Sequence, residues 1–266
     1  MKLKYFLAPF VLFLLIVGFT QITQADTNQQ VEKIKKRGVL NVGIKQDVPN
    51  FGYLDSDSNT YTGLEVDLAK KVAKQLGVKI NYVPVTAQTR GPLLDNGQVD
   101  IVAATFTITD ERKELFNFTT PYYTDASGFL VNKSSKISDV EDLNGKTIGV
   151  AQGSVTRTLL EEVAKERGLK FNYVELGSYP ELAISLRAHR IDAFSVDKSI
   201  LSGYVSSKTE ILDYSFKSAD YGLVTKKSNT ELNDYIDQLV VKWKADGSLQ
   251  KLYDKYHLKP TTKSDD

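Results

Sequence analysis

The feature that most restricts the fold is a strand–helix alternation that runs through the chain and then starts again. "VLNVGI" (39–44) reads as a buried strand, and "LEVDLAKKVAKQLG" (64–77) carries apolar residues at helical spacing up to Gly77. "KINYVPV" (79–85) alternates as a strand, "RGPLLDNG" (90–97) suits a short helix, and "DIVAATF" (100–106) is a second buried strand. The order then recurs as strand "KTIGVA" (146–151), helix "VTRTLLEEVAKERG" (155–168) with Ser154 as cap, strand "KFNYVEL" (170–176), helix "PELAISLRAH" (180–189) and strand "IDAFSV" (191–196). The two halves share local text, "LLDNGQVDIVAAT" (93–105) beside "SLRAHRIDAFSV" (185–196). Such alternation predicts α/β units on mainly parallel sheets, and its recurrence predicts two lobes of similar plan.

The last segment breaks the pattern. "DYGLVTKK" (220–227) reads as a strand, and Asn229 can cap a long amphipathic helix to about 245. If this segment returns to the first lobe, the chain crosses between lobes twice, near 127–131 and near 218–223. Two crossings make a hinge. The expected division is 26–129 with 222–258 for the first lobe, 130–221 for the second, and 259–266 as a frayed tail.

At the N-terminus, Lys2 and Lys4 precede an apolar run from Tyr5 to Phe19 and the small-residue pattern Thr23-Gln24-Ala25. That order predicts a secretory signal peptide over 1–25, since the run contains Pro9 and falls short of the ~20 apolar residues of a spanning helix. The expected location is therefore the periplasm, or a Gram-positive surface or the medium. The 266-residue chain has no cysteine, so stability rests on a full hydrophobic core and a lipid anchor on cysteine is excluded. A formal net charge of +1 gives no reason to expect a nucleic-acid partner.

Among single residues, "TFTITDER" (105–112) is the most informative stretch. Thr109 looks like an N-cap, which puts Arg112 in a first helical turn, where a cation opposes the helix dipole by ~0.3–1 kcal/mol. Arg112 there is either a surface residue paired with an acid or a clamp for an anion, with Thr107 as a further donor. Asp197 ends the 191–196 strand, where ligands collect in open α/β sheets. It either caps the following helix or holds an ammonium group. Lys45 and Arg90 lie near the same sheet edge and are either solvated cations or part of a site. The two histidines, His189 and His257, have no metal-ligand spacing, and no phosphate loop or nucleophile elbow is present. No catalytic residue, metal or cofactor is expected.

"GLEVDLAKKVAKQLG", "NGQVDIVAATFTITDERK" and "FNFTTPYY" closely resemble the family 3 extracellular solute-binding proteins of polar amino-acid ABC transporters, from about Val39 to Leu258. "VGIKQDVPNFG", "TRGPLLDNG", "DAFSVDKSILSGYV" and "YGLVTKK" look most like the aspartate- and glutamate-binding members. The resemblance implies a two-lobed periplasmic-binding-protein fold of type 2, a free L-aspartate or L-glutamate ligand, a monomer, and an ABC permease as partner. It assigns Arg112 and Thr107 to the ligand α-carboxylate, Asp197 to its ammonium, and Lys45 and Arg90 to its side-chain carboxylate. Thr105, Tyr179 and Tyr221 match polar residues lining the cleft. Two positions depart from the pattern, Val48 in the first loop and Val155 where relatives often carry threonine. The alternatives are a cyclohexadienyl-dehydratase-like enzyme, which needs a general acid that the matched positions do not supply, and a surface adhesin or antigen.

Overall fold

In a computed structural model of the protein, which describes residues 29–261, the alternation builds two separate mixed sheets. In the first sheet, strand Val39–Ile44 runs parallel to Lys79–Pro84 on one side and to Ile101–Ala103 on the other. Strand Val224–Lys226 then joins antiparallel to Ile101–Ala103 and carries Phe116–Phe118 on its far edge. The late segment therefore returns to the first sheet. In the second sheet Asn172–Leu176, Thr147–Ala151 and Ala193–Asp197 are parallel neighbours, closed by the antiparallel ten-residue strand Tyr123–Asn132. Strands Thr209–Ile211 and Phe216–Tyr221 also pair with Tyr123–Asn132. A small three-stranded sheet, Asp47–Val48, Gly52–Asp55 and Thr60–Thr62, extends the first lobe.

The helices form where periodicity places them. Leu64–Leu76 buries Leu64, Leu68, Ala69, Val72, Ala73 and Leu76 and ends at left-handed Gly77. Thr156–Arg167 ends in the same way at Gly168. Ser154 is not its cap: the position before the helix is Val155, without a capping side chain, and Ser154 Oγ instead donates to Ala151 O at 2.7 Å. Helix Thr230–Ala245 packs Leu232, Ile236, Val240 and Trp243 inward.

The strand Tyr123–Asn132 is paired throughout within the second sheet, so the chain passes between the sheets before Tyr123 and again between Tyr221 and Val224, rather than at 127–131. The two linking segments lie side by side, with Tyr221 opposite Tyr123. Residues 259–261 are not frayed, because the Thr261 amide donates to Thr124 O at 2.9 Å and ties this segment to strand Tyr123–Asn132. The segment 1–25, where the signal peptide is expected, lies outside the described residues, as do 26–28 and 262–266. Among the described residues no helix is long and apolar enough to cross a membrane.

Candidate functional site

The facing edges of the two sheets meet tightly, and buried polar residues collect in the seam. Lys45 follows the first strand, Arg90 begins helix Arg90–Asp95, and Thr105 follows strand Ile101–Ala103. All three are at least 97% buried. From the other lobe come Tyr179, at the start of helix Tyr179–Arg187, and Asp197, at the end of its strand. Tyr221 lies on the returning linker and is also buried.

Each sequence candidate has a definite place here. Lys45 is not a solvated cation, since its Nζ stands 4.3 Å from the Tyr179 ring centre across the seam. Arg90 is not solvated either, and its Nη1 donates to Ala104 O at 2.5 Å and Thr105 O at 2.8 Å. Two guanidinium groups approach the Phe106 ring, with Arg90 Cζ 4.2 Å and Arg112 Cζ 4.9 Å from its centre. Thr109 does cap the short helix Asp110–Leu115, accepting from the Arg112 amide at 3.2 Å. The Arg112 side chain makes no surface ion pair; it donates to Thr107 O at 2.9 Å and, across the seam, to Gly153 O at 3.1 Å. Asp197 does not cap the next helix, for its oxygens are taken by Ser127 Oγ at 2.7 Å and by the Tyr221 hydroxyl.

Sequence reasoning missed three participants. Glu65, on helix Leu64–Leu76, is fully buried, and its Oε1 accepts from both the Thr105 amide and the Tyr122 hydroxyl. The sequence does carry the signal, an acid on the apolar stripe four residues before Ala69. Tyr122 was legible only as one aromatic among many. Asp125 lies on the same strand as Ser127 and accepts from the Ser199 amide at 2.9 Å. The matched positions supply no spare carboxylate, but Glu65 and Asp125 both stand beside them, contributed by positions that no motif marked.

Local close packing sets these positions. Gly63 precedes the Glu65 helix with φ 126°, and a Cβ there would lie 2.1 Å from Phe51 O, so only glycine lets the helix start beneath this loop.

Electrostatically the seam is a buried cluster of charged groups. Among the described residues none of Lys45, Arg90 and Arg112 has a carboxylate partner within ion-pair distance. Burial pulls Lys45 down to about 8, against the pull of Asp47 and with that of Arg90. Burial, then Arg90, lowers Arg112 to about 9. Burial, then Asp197, raises Asp125 to about 7, while burial raises Glu65 against its two donors and the nearby cations. Arg90 Nε, Thr105 Oγ1 and Glu65 Oε2 are buried without a hydrogen-bond partner among the described residues. Such atoms cost about 1–3 kcal/mol each when left unpaired, so three in one bonded cluster mark a place for a polar molecule.

Two hollows flank this cluster along the seam. One of about 440 Å³ is lined by Asp47, Thr86 and Thr89 from the first lobe and by Ser178 and Pro180 from the second. The other, about 470 Å³, has Arg112, Phe106 and Gln88 facing Gly153 and Val155. A hollow of about 630 Å³ around Asn229 and Tyr235 contains none of the buried cations.

The sequence model of the bacterial extracellular solute-binding proteins, family 3, matches residues 40–259. The chain belongs to that family. A glutamine-binding protein of Geobacillus stearothermophilus is 37% identical over 211 residues, 77% of this chain and 79% of that protein. An L-glutamate/L-aspartate-binding protein of Pseudomonas aeruginosa is 28% identical over 244 residues, 86% of this chain and 80% of that one. Among solved structures, an amino-acid ABC transporter substrate-binding protein of Streptococcus pneumoniae bound to L-arginine superposes with a TM-score of 0.77 at 29% identity, covering 85% of this chain and 97% of that one. This family 3 protein thus shares the two-lobed architecture of amino-acid-binding proteins whose ligands differ in charge. Family membership makes it an amino-acid-binding component of an ABC transporter.

Proposed function

We propose that this protein captures L-aspartate or L-glutamate between its lobes outside the cytoplasm and delivers it to an ABC permease, without turning it over. The observation that carries this reading is the charge inventory of the buried cluster. Lys45, Arg90 and Arg112 supply three cations, while burial raises the acids that face them, Asp197, Asp125 and Glu65. An acidic amino acid adds one ammonium and two carboxylates. Glutamine would leave one more cation unmatched than that, and a lysine or arginine ligand two more. An unmatched charge in a closed cleft is costly, so the cluster favours the acidic ligand.

Each residue then has a role. Arg112 and the Thr107 segment take the α-carboxylate, and Asp197, oriented by Ser127 and Tyr221, takes the ammonium. Lys45 and Arg90, with Thr105, take the side-chain carboxylate, and Tyr179 covers it from the second lobe. The open form binds through one lobe, and closing about the paired linkers at Tyr123 and Tyr221 removes water. Asp125 is held by the amides of Ala126 and Ser199 and Glu65 Oε1 by two donors, an arrangement that favours capture over general acid catalysis.

Isothermal titration of the purified mature protein against the amino acids tests the assignment. Aspartate or glutamate is expected to bind 1:1 and tightest, with glutamine and the basic amino acids far weaker. Tightest binding of an amide or a basic amino acid would overturn the reading.

A pH series gives a second test. A side-chain carboxylate beside Lys45 makes the complex hold the Lys45 proton more tightly than the free protein does. Affinity for the acidic ligand is therefore full below pH 8 and falls as pH rises through Lys45's value of about 8, by up to about tenfold per pH unit. Asparagine and glutamine lack that carboxylate, so the preference for acid over amide should narrow from pH 8 upward. A preference that stays constant to pH 9.5 removes Lys45 from the side-chain site.

A further inference from the structure

The backbone at Thr105 is held where a β-branched residue rarely goes. Its φ is +44°, in the left-handed region that costs an ordinary residue energy and that glycine occupies freely. Two groups clasp it. Glu65 Oε1 accepts its amide, and Arg90 Nη1 donates to its carbonyl and to that of Ala104. Glu65 also accepts from the Tyr122 hydroxyl at the start of the linking strand, so one carboxylate joins a helix, the Thr105 turn and the linker. The turn in question carries both Thr105 Oγ1 and, through Arg90, the unpartnered Arg90 Nε.

We propose that Glu65 is the positioning residue of this cleft: it pins Thr105 in the left-handed conformation, and so fixes where Thr105 Oγ1 and Arg90 meet the ligand, without being assigned a ligand contact of its own. This rests on the reading of the seam as an amino-acid site. The physical logic is that strained backbone persists only where its surroundings over-determine it, and here a buried carboxylate and a buried guanidinium grip the two ends of one peptide turn. Sequence places the acid on the apolar face of a helix, where it would be a misfit without such a task.

A double-mutant cycle tests the inference. Glu65→Ala should lower the unfolding temperature of the ligand-free protein by about 3–12 °C, as a charge-assisted acceptor is lost. In a Thr105→Gly background the same change should cost about 2–8 °C less, because glycine keeps the left-handed turn unaided. The empty bonding positions on Tyr122 exist in both backgrounds and cancel from the comparison. Equal losses in the two backgrounds would overturn the proposal. Should Glu65→Ala be too unstable to purify, Glu65→Asp, one methylene too short to reach Thr105, takes its place in the cycle. Glu65→Gln keeps an accepting oxygen and should recover most of the unfolding temperature. It should also regain most of the roughly ten- to hundredfold affinity for the acidic amino acid that Glu65→Ala loses. A glutamine variant as impaired as the alanine variant would also overturn it. The unfolding arm needs no ligand, so a failure of the acidic-ligand reading leaves this test standing.

Discussion

Arg112→Ala is expected to weaken binding of every amino acid tested, whereas Arg90→Ala should weaken only ligands with a side-chain carboxylate. The division follows from position. Arg112 sits at the edge of the first lobe, spans the seam to Gly153 and is assigned to the α-carboxylate that all amino acids carry. Arg90 is sealed behind Phe106 and bonded to Ala104 and Thr105, beside Lys45's side of the cluster. Removing one partner of a buried, hydrogen-bonded charge pair costs ~2–5 kcal/mol, tens- to thousands-fold in affinity. Isothermal titration of both variants against aspartate, glutamate, asparagine and glutamine checks it. Residual amide binding should be unchanged or improved in Arg90→Ala, since one unmatched cation is gone. An equal loss for acids and amides in both variants would rule out separate roles. Unaltered affinity in both would return the two arginines to a structural role in their peptide turns.

Closing should be blocked from a position that no ligand touches. Gly203 lies in the second lobe, and the three nearest atoms to a Cβ placed there all belong to Pro49 of the first lobe, at 2.9, 3.0 and 3.0 Å. Its φ lies outside the left-handed region, so a side chain at this position meets no backbone penalty. Gly203→Val is therefore expected to act through the closed state. Overpacking costs about 1–3 kcal/mol, and an affinity that depends on closure falls in proportion, roughly five- to 150-fold. The unfolding temperature without ligand should stay near that of the parent, and small-angle scattering should show less compaction on adding aspartate or glutamate. Parent-like affinity together with full compaction would mean that the seam yields at Pro49 and that closure does not depend on this contact. The nearby bond from the Tyr204 hydroxyl to Asp47 O, across the same end of the seam, would then be the contact to remove next.

The fold was legible in the chain because its elements are local. Helix 64–76 follows from apolar spacing and a terminal glycine, and the recurrence of strand and helix after residue 146 announces the second lobe. The return of 224–226 to the first sheet could also be anticipated, since that strand breaks the second lobe's alternation. Short-range detail was less secure. Ser154 has the chemistry of a cap, but the turn before the helix spends its hydroxyl on Ala151 O. The linker was placed a few residues late because a strand buried on both faces gives no periodic sign of where it changes neighbours.

The candidate site divides along the same line. Sequence by itself determined which cations and which acid were available, because charged residues beside apolar strands (Lys45, Asp197) and in the first turns of short helices (Arg90, Arg112) stand out from their surroundings. It left open whether each was solvated, and only the tertiary structure decided that all are drawn into the seam. Burial is a property of what the opposite lobe brings, such as Tyr179 over Lys45 or Gly153 against Arg112, and those partners are more than 40 residues away in the chain. The same holds for Glu65. Its helix is written in the sequence, but its partners, the Thr105 amide and the Tyr122 hydroxyl, are 40 and 57 residues distant. Hydrogen bonds at that separation leave no spacing pattern, so this buried acid could be found only once the chain was folded.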